Sequence, residues 1–573
     1  MKNKEVACIF REIAQILELK GDNPFRIRAY EKAAQNVERL DKDIEIVAGE
    51  DKLTQIPGIG ADLANKIKEI VTTGQLKQYE DMKKGFPQDV IKMLDISGLG
   101  PKTVKLIYEK LKITSISKLE EAARGGKLQT LEGIKEKTEE NILRGIELLK
   151  KGKERVALFF AIEVAVKFLA ELKKCKDIEK IEVGGSVRRL KDTVRDIDIL
   201  VSSKNAERVM DKFVSLDLVK EVLAHGKTKS SVISGDNMQV DLRVVEDKSF
   251  GAALLYFTGS KEFNIRLRQL AIKKGYKINE YGVFLTKGQE QKYIVGKTEE
   301  EIFSLMKMAY IVPELREDRG EIEAAQKNKL PKLVQIKDIR GDLHLHSKYS
   351  DGTSSIEELA EKATELGYQY LAISDHSQSL KVARGLSVES VYEKIDEIKK
   401  VSKKFKNLKI FMGTEVDILS DGSLDYPNKL LAEFDVVVAA IHSGFKQPRA
   451  QITNRLLSAC RNKYVNIIAH PTGVLWGTRD PYDFDMDEVF KVARDNDVAL
   501  EINCHPQRLD LNDINAMKAK TNGVKFAIGT DAHMTGQLFA MNLGVAVARR
   551  AWLAKEDIIN CMSLPAMLKW LKK

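Results

Sequence analysis

Apolar positions recur along this chain in three successive rhythms. In the first fifty residues Val6, Ile9, Phe10, Ile13, Ile16 and Leu17 fall on one helical stripe, which predicts a small helical bundle. Two apolar-Gly-apolar-Gly turns then open helical stretches. Ile56-Pro57-Gly58-Ile59-Gly60 precedes Ala61–Ile67, and Ile96-Ser97-Gly98-Leu99-Gly100-Pro101-Lys102 precedes Thr103–Ile107. A weaker third copy stands at Leu131-Glu132-Gly133-Ile134-Lys135. Further on the period drops to two. Asp196 and Asp198 alternate with Ile197 and Ile199, so the acids share one face of a strand and the isoleucines the other. Ser231 to Val245 reads as a hairpin turning at Gly235-Asp236-Asn237, with Asp241 on its second strand. From Pro313 to about Arg340 the chain is polar, which predicts a linker with one helix.

After the linker seven short apolar runs each end in a metal-type ligand. They are Leu343–His346, Tyr370–His376, Ile410–Glu415, Val436–His442, Val465–His470, Val498–Asn503 and Phe526–His533, with amphipathic helical stretches between most of them. Alternating strand and helix with functional groups at the strand ends predicts a (β/α) barrel, here one strand short of eight.

A chain of 573 residues exceeds one hydrophobic core and predicts several domains. The net charge of +10 fits a polyanionic partner without requiring one. Five scattered cysteines predict reduced thiols in a cytoplasm. Glu5, Arg11 and Glu12 break any secretory leader, and Glu163 and Lys167 interrupt the apolar stretch Val156–Ala170, so a buried helix is expected there and no membrane span. No phosphate-cradling loop of the Walker kind is present.

Two carboxylates side by side on one strand repel unless a cation lies between them. A solvated Asp-x-Asp on an edge strand is the plain alternative, and Asp241 on a neighbouring strand weakens it. Together with the Gly184-Gly185-Ser186 turn and Arg189, three acids suit two-metal phosphoryl transfer. Histidine use changes at the linker: His225 precedes it and the other seven of eight follow. His344 and His346 share a strand face. A histidine–carboxylate set without cysteine suits Mn²⁺, Zn²⁺ or Fe²⁺. Cys504 and His505 read as rim residues. Arg384 and Arg479 are either phosphate clamps or solvated surface arginines.

The acidic strand, with Tyr256-Phe257-Thr258-Gly259-Ser260, Glu262-Phe263-Asn264 and Arg268, resembles the nucleotidyltransferase palm of the family X, or polymerase beta-like, DNA polymerases. The resemblance implies that Asp196, Asp198 and Asp241 hold two Mg²⁺ ions and carry the catalysis. It implies that Gly185, Ser186 and Arg189 meet the triphosphate, and that Tyr256, Phe257 and Gly259 line the sugar pocket. Asn264 would touch the incoming base and Arg268 the template. A cis bond between Gly259 and Ser260 is also implied. Gln239 stands where the family often has arginine, which implies weaker charge near the primer end. The Gly turns resemble helix-hairpin-helix elements, so Gly58, Gly60, Gly98, Gly100 and Lys102 would contact DNA backbone without reading sequence. The first module resembles the small lyase domain of that family, with Lys66 at the Schiff-base position and Tyr30 in its pocket. Asp62, where a second lysine is common, opposes the low pKa that a lysine nucleophile needs. A phosphate contact is therefore the first reading of Lys66 and a nucleophile the second.

The last section resembles the PHP (polymerase and histidinol phosphatase) domain. That implies three metals, Mn²⁺ or Zn²⁺: one with His344, His346, Glu415 and Asp531, one with Glu415, His442 and His470, and one with Asp351, His376 and His533. The expected fold is thus multidomain, α+β and α/β. A helical lyase-like domain takes residues 1–80 and a helix-hairpin-helix subdomain 81–150. The palm spans 151–250, the nucleotide-selecting subdomain 251–312, a linker 313–337, and a (β/α)7-like PHP barrel 338–573. Taken together the chain resembles bacterial or archaeal family X polymerases carrying a PHP domain. That implies a monomeric, cytoplasmic, template-directed DNA polymerase acting on gapped or primed DNA and dNTPs in base excision repair. A 3′-5′ exonuclease accompanies it, with abasic-site or 3′-phosphate processing as a further implied activity. Two rivals stand beside it: an untemplated nucleotidyltransferase fused to a small-molecule phosphatase, and a DNA-binding scaffold with dead sites.

Overall fold

A computed structural model describes all residues except Met1, Arg39, 41–43, Pro57, 84–86, 97–98, Glu132, 136–137, Asn141, Arg144, 147–154, 288–289 and Lys573. The chain divides into two compact units, Met1–Glu154 with Gly477–Arg479, and Arg155–Trp476 with Asp480–Lys573. No helix among the described residues is long and apolar enough to cross a membrane.

The first unit is helical. Its core gathers the predicted stripe, with Val6, Phe10, Ile13 and Ile16 fully buried, against Tyr30, Val37, Ile67, Val104 and Ile107. Gly60 and Gly100 are the N-caps of helices Ala61–Thr73 and Pro101–Leu111, and neither helix has a side-chain cap. Their first-turn amides therefore remain open to an anion. Gly58 adopts φ 77°, a left-handed conformation that favours glycine. Gly98 lies outside the described residues.

Among the described residues, the second unit carries a five-stranded sheet, an antiparallel three-stranded sheet and a seven-stranded parallel sheet. In the five-stranded sheet Asp196–Ser202 lies parallel to Gln239–Val245 and antiparallel to Lys180–Val183. The alternation is as expected: Ile197 and Ile199 are buried and the two acids are partly open. Helix Leu158–Leu172, the most apolar stretch, joins this core through Leu158, Val164 and Phe168.

The parallel strands run in chain order: Gly341–Leu345, Tyr370–Ile373, Lys409–Asp417, Val436–Ala440, Ile467–Ile468, Ala499–Asn503 and Phe526–Gly529. Beyond the last strand Asp531 N donates to His344 O at 2.9 Å and His346 N to Ala532 O at 2.8 Å, drawing the ring nearly closed. The stretch read as a linker is packed. Leu315, Arg316, Glu321, Ile322, Ala325 and Val334 are buried there. Arg316 and Glu321 are buried beside partners there, so a stretch that composition alone reads as a tether is part of the fold.

Candidate active sites

The first site grows from strand register. Asp198 pairs directly with Asp241, and Asp196 with Gln239, so the three carboxylates occupy one corner of the sheet. Burial, then the neighbouring Asp196 and Asp241 charges, push the Asp198 carboxyl up to about 7. Asp241 is engaged by Lys229 Nζ at 3.2 Å and by Gln239 Nε2 at 2.9 Å, so Gln239 supports the acid corner without adding charge. Gly185, at φ 60°, brings the turn against Asp198; a Cβ there would lie 2.3 Å from Asp198 Oδ2. Crowded oxygen donors with one carboxyl raised in pKa fit a hard divalent cation.

The arginines after the turn are anchored. Arg188 makes a bidentate pair with Glu299, both bonds 2.9 Å, and Arg316 grips the same carboxylate from the other side. Arg189 Nε donates to Glu317 Oε1 at 3.0 Å, and its Nη1 to the Thr258 carbonyl. The Gly259–Ser260 bond is cis.

Tyr256 and Phe257, both assigned to the sugar pocket, face different cavities. Phe257 lines a cavity of about 750 Å³ with Tyr281 and Phe284, its ring 4.3 Å below the Arg243 guanidinium. Tyr256, Asn264 and Arg268 line a separate small one with Leu255 and Ile278. Helix geometry is the reason: adjacent residues of Phe250–Thr258 point roughly 100° apart. Asn264 Nδ2 donates to Tyr256 O at 2.7 Å, and Arg268 Nε to Asn264 O at 3.2 Å.

In the first unit Lys66 pairs with Asp62 and lies 5.2 Å from the Tyr30 ring centroid. Burial opposes its charge, but the Asp62 and Tyr30 contacts prevail and raise the Lys66 pKa, the reverse of what a nucleophilic amine needs.

The second site lies at the carboxyl ends of the barrel strands. His346 Nε2 is 3.2 Å from Asp531 Oδ1 and 3.3 Å from His344 Nε2. Glu415 is central: His376 Nδ1 lies 2.9 Å from its Oε2, and His470 Nε2 and His442 Nε2 lie 3.0 and 3.3 Å from its Oε1. His533 Nε2 is 3.2 Å from Asp351 Oδ2. Three groups can hold ions: His344, His346 and Asp531; His376, Glu415 and His442; and His346, Asp351, His376 and His533. All nine expected residues thus lie in one network of contacts, with His470 joining through Glu415 and outside the three groups. The division differs from the expected one, because His376 reaches Glu415 as well as Asp351, and His346 leans toward the Asp351 group. Buried His346 Nδ1 and His376 Nδ1 make no hydrogen bond; the second is near Glu415 but out of line. Orphaned imidazole nitrogens beside carboxylates fit metal ions.

Several supporting residues escaped the sequence reading. His344 Nδ1 meets Glu501, and His442 Nδ1 meets Asp417 at 2.5 Å. Asp375 accepts from Ser347 N and Ser350 Oγ and pairs with Lys394 at 2.9 Å, with both side chains fully buried. Burial would raise the Asp375 pKa, but Lys394 and its other partners hold it down at about 2. Arg508 Nε lies 3.7 Å from Asp531 Oδ2 and its Nη1 is buried without a partner, whereas Arg384 is exposed. His505 stays off the ion groups, its Nδ1 accepting from Gln507 N. Polar residues just past or inside each strand end were the available signal for Glu501 and Asp417.

Comparison with known proteins shows the family. Family models match as the DNA polymerase beta thumb at residues 253–317, the helix-hairpin-helix domain at 1–76, the SAM-like helix-hairpin-helix tandem at 90–147 and the PHP domain at 342–505. The chain is 38% identical over 575 residues, the full length of both proteins, to the DNA polymerase/3′-5′ exonuclease PolX of Bacillus subtilis. It is 28% identical over 230 residues to a probable phosphatase of Thermoanaerobacter sp. (strain X514), covering 38% of this chain and 89% of that protein. It is also 27% identical over 309 residues to DNA polymerase lambda of Arabidopsis thaliana, covering 49% of this chain and 54% of that protein. Thumb, helix-hairpin-helix elements and PHP domain all lie on one full-length match, and the chain belongs to the family X DNA polymerases that carry a C-terminal PHP domain.

Proposed function

We propose that the chain is a template-directed DNA polymerase that fills short gaps during base excision repair and removes 3′-terminal nucleotides at its barrel. The observation that carries the first half is the register of Asp198 against Asp241 beside the Gly185 turn. Asp196, Asp198 and Asp241 would hold two Mg²⁺ ions, which when bound set positive charge against the transferring phosphoryl group. Ser186 and Arg189 orient the triphosphate; Tyr256 and Gly259 border the sugar, Asn264 the base and Arg268 the template. The open amides at Gly60 and Gly100, with Lys102, meet DNA backbone, and Lys66 is a phosphate contact.

At the barrel His344, His346, Asp351, His376, Glu415, His442, His470, Asp531 and His533 would hold up to three Mn²⁺ or Zn²⁺ ions. Arg508 Nη1, buried and unpartnered, presents a donor to a phosphate oxygen. Glu501 and Asp417 fix the tautomer of the histidines they touch, directing the other nitrogen inward. The likeness of the barrel to probable phosphatases supports 3′-phosphate removal at the same place.

Primer extension on gapped DNA tests the proposal. Incorporation that follows each change of template base is expected; incorporation indifferent to the template would overturn it in favour of an untemplated transferase.

A further inference from the structure

The two arginines after the Gly-Ser turn are held by different parts of the molecule. Arg188 belongs to the Glu299–Arg316 cluster. Arg189 instead turns to Glu317, the last residue of the stretch matched as the polymerase beta thumb. Its Nε and Nη1 are engaged by Glu317 and the Thr258 carbonyl, which leaves Nη2 to meet an anion.

Glu317 is itself shared. Arg550, the last residue of barrel helix Met541–Arg550, donates from Nη1 to Glu317 Oε1 at 3.0 Å and to the Arg189 carbonyl at 2.7 Å. Its Nη2 donates to Asp513 Oδ2 at 2.7 Å, an oxygen that also receives Arg319 Nη1 at 3.0 Å. Charges alternate along Arg189, Glu317, Arg550, Asp513 and Arg319. The Arg550 side chain is 1% exposed and that of Glu317 10%, so salt and water screen little of the interaction. One carboxylate oxygen thus serves a palm guanidinium and a barrel guanidinium together.

We propose that Arg550 of the barrel is a positioning residue for nucleotide binding in the palm, sharing Glu317 Oε1 with Arg189 so that the carboxylate orients Arg189 without sequestering it. A carboxylate divided between two guanidiniums holds each less tightly than it would hold one alone. Without Arg550, Glu317 becomes the full counterion of Arg189 and competes with the triphosphate, and the Arg189 carbonyl loses its donor. The barrel thereby tunes a site in whose chemistry it takes no part. The inference rests on the reading of Arg189 as a triphosphate contact.

Single-nucleotide gap filling by the full-length protein tests it, with 3′-5′ exonuclease activity as the check on folding. Arg550→Gln is expected to raise the dNTP KM about tenfold with kcat changed less than about twofold and exonuclease retained. In an Arg189→Ala background the same change is expected to have no further effect on KM. Arg550→Lys keeps the charge but cannot bridge all three acceptors, and it should raise KM about threefold. It decides the matter if the Gln variant does not fold, an unchanged KM then overturning the proposal. If Arg189→Ala raises KM while Arg550→Gln does not, or if the two effects multiply, the proposal falls and the reading of Arg189 stands. If Arg189→Ala leaves KM unchanged, both fall.

Discussion

His344 Nδ1 lies 2.6 Å from Glu501 Oε1, and both side chains are fully buried. A carboxylate on the far nitrogen sets the tautomer of a ligand histidine and fixes its ring. Glu501 also accepts from His470 N at 2.7 Å and Asn503 Nδ2 at 3.1 Å, so one side chain steadies two of the proposed ligands. Glu501→Gln should lower metal affinity at the barrel about ten- to a hundredfold. Metal titration followed by elemental analysis reads this directly, with gap filling unaffected.

At the palm the turn should tolerate no side chain at Gly185. A Cβ there meets Asp198 Oδ2 at 2.3 Å, and φ is 60°. Gly185→Ala is expected to lower synthesis at least about a hundredfold by displacing an acid the chemistry needs. Exonuclease rates on single-stranded DNA provide the comparison and should be unchanged.

Acid stability should reflect Glu299. Burial raises its pKa, but Arg316 and Arg188 outweigh burial and bring it from 4.5 to about 2. A carboxyl depressed on folding contributes stability above its unfolded pKa and loses it as pH falls through the folded one. The loss should run between about pH 4.5 and 2 and amount to roughly 3 kcal/mol. Urea midpoints against pH should fall across that window in the parent and change less in Glu299→Gln, which will be less stable at neutral pH because buried Arg316 and half-buried Arg188 lose their counterion.

Much of this was legible in the sequence because it is local. Period-two alternation placed Asp196 and Asp198 on one face, and the seven apolar runs ending in ligands marked seven strands of a nearly closed barrel. What escaped depends on distance along the chain. Glu501 is 157 residues from His344, and Arg550 is 233 from Glu317, so no spacing rule links them. The stretch 313–337 read as a tether because Arg316 and Glu321 look solvated in sequence; burial beside paired partners reverses that. Division of the histidines among ion groups was similarly hidden, since His376 sits between Asp351 and Glu415 only once the loops are placed.

The central claim is that two separate centres, one of aspartates and one of histidines, act independently on the same DNA. Gap filling and 3′-5′ exonuclease rates measured side by side for Asp198→Ala and His344→Ala test it most directly. The account predicts that Asp198→Ala loses synthesis by more than about a thousandfold and keeps nucleolysis, and that His344→Ala does the reverse. Loss of both activities in either folded variant would contradict it.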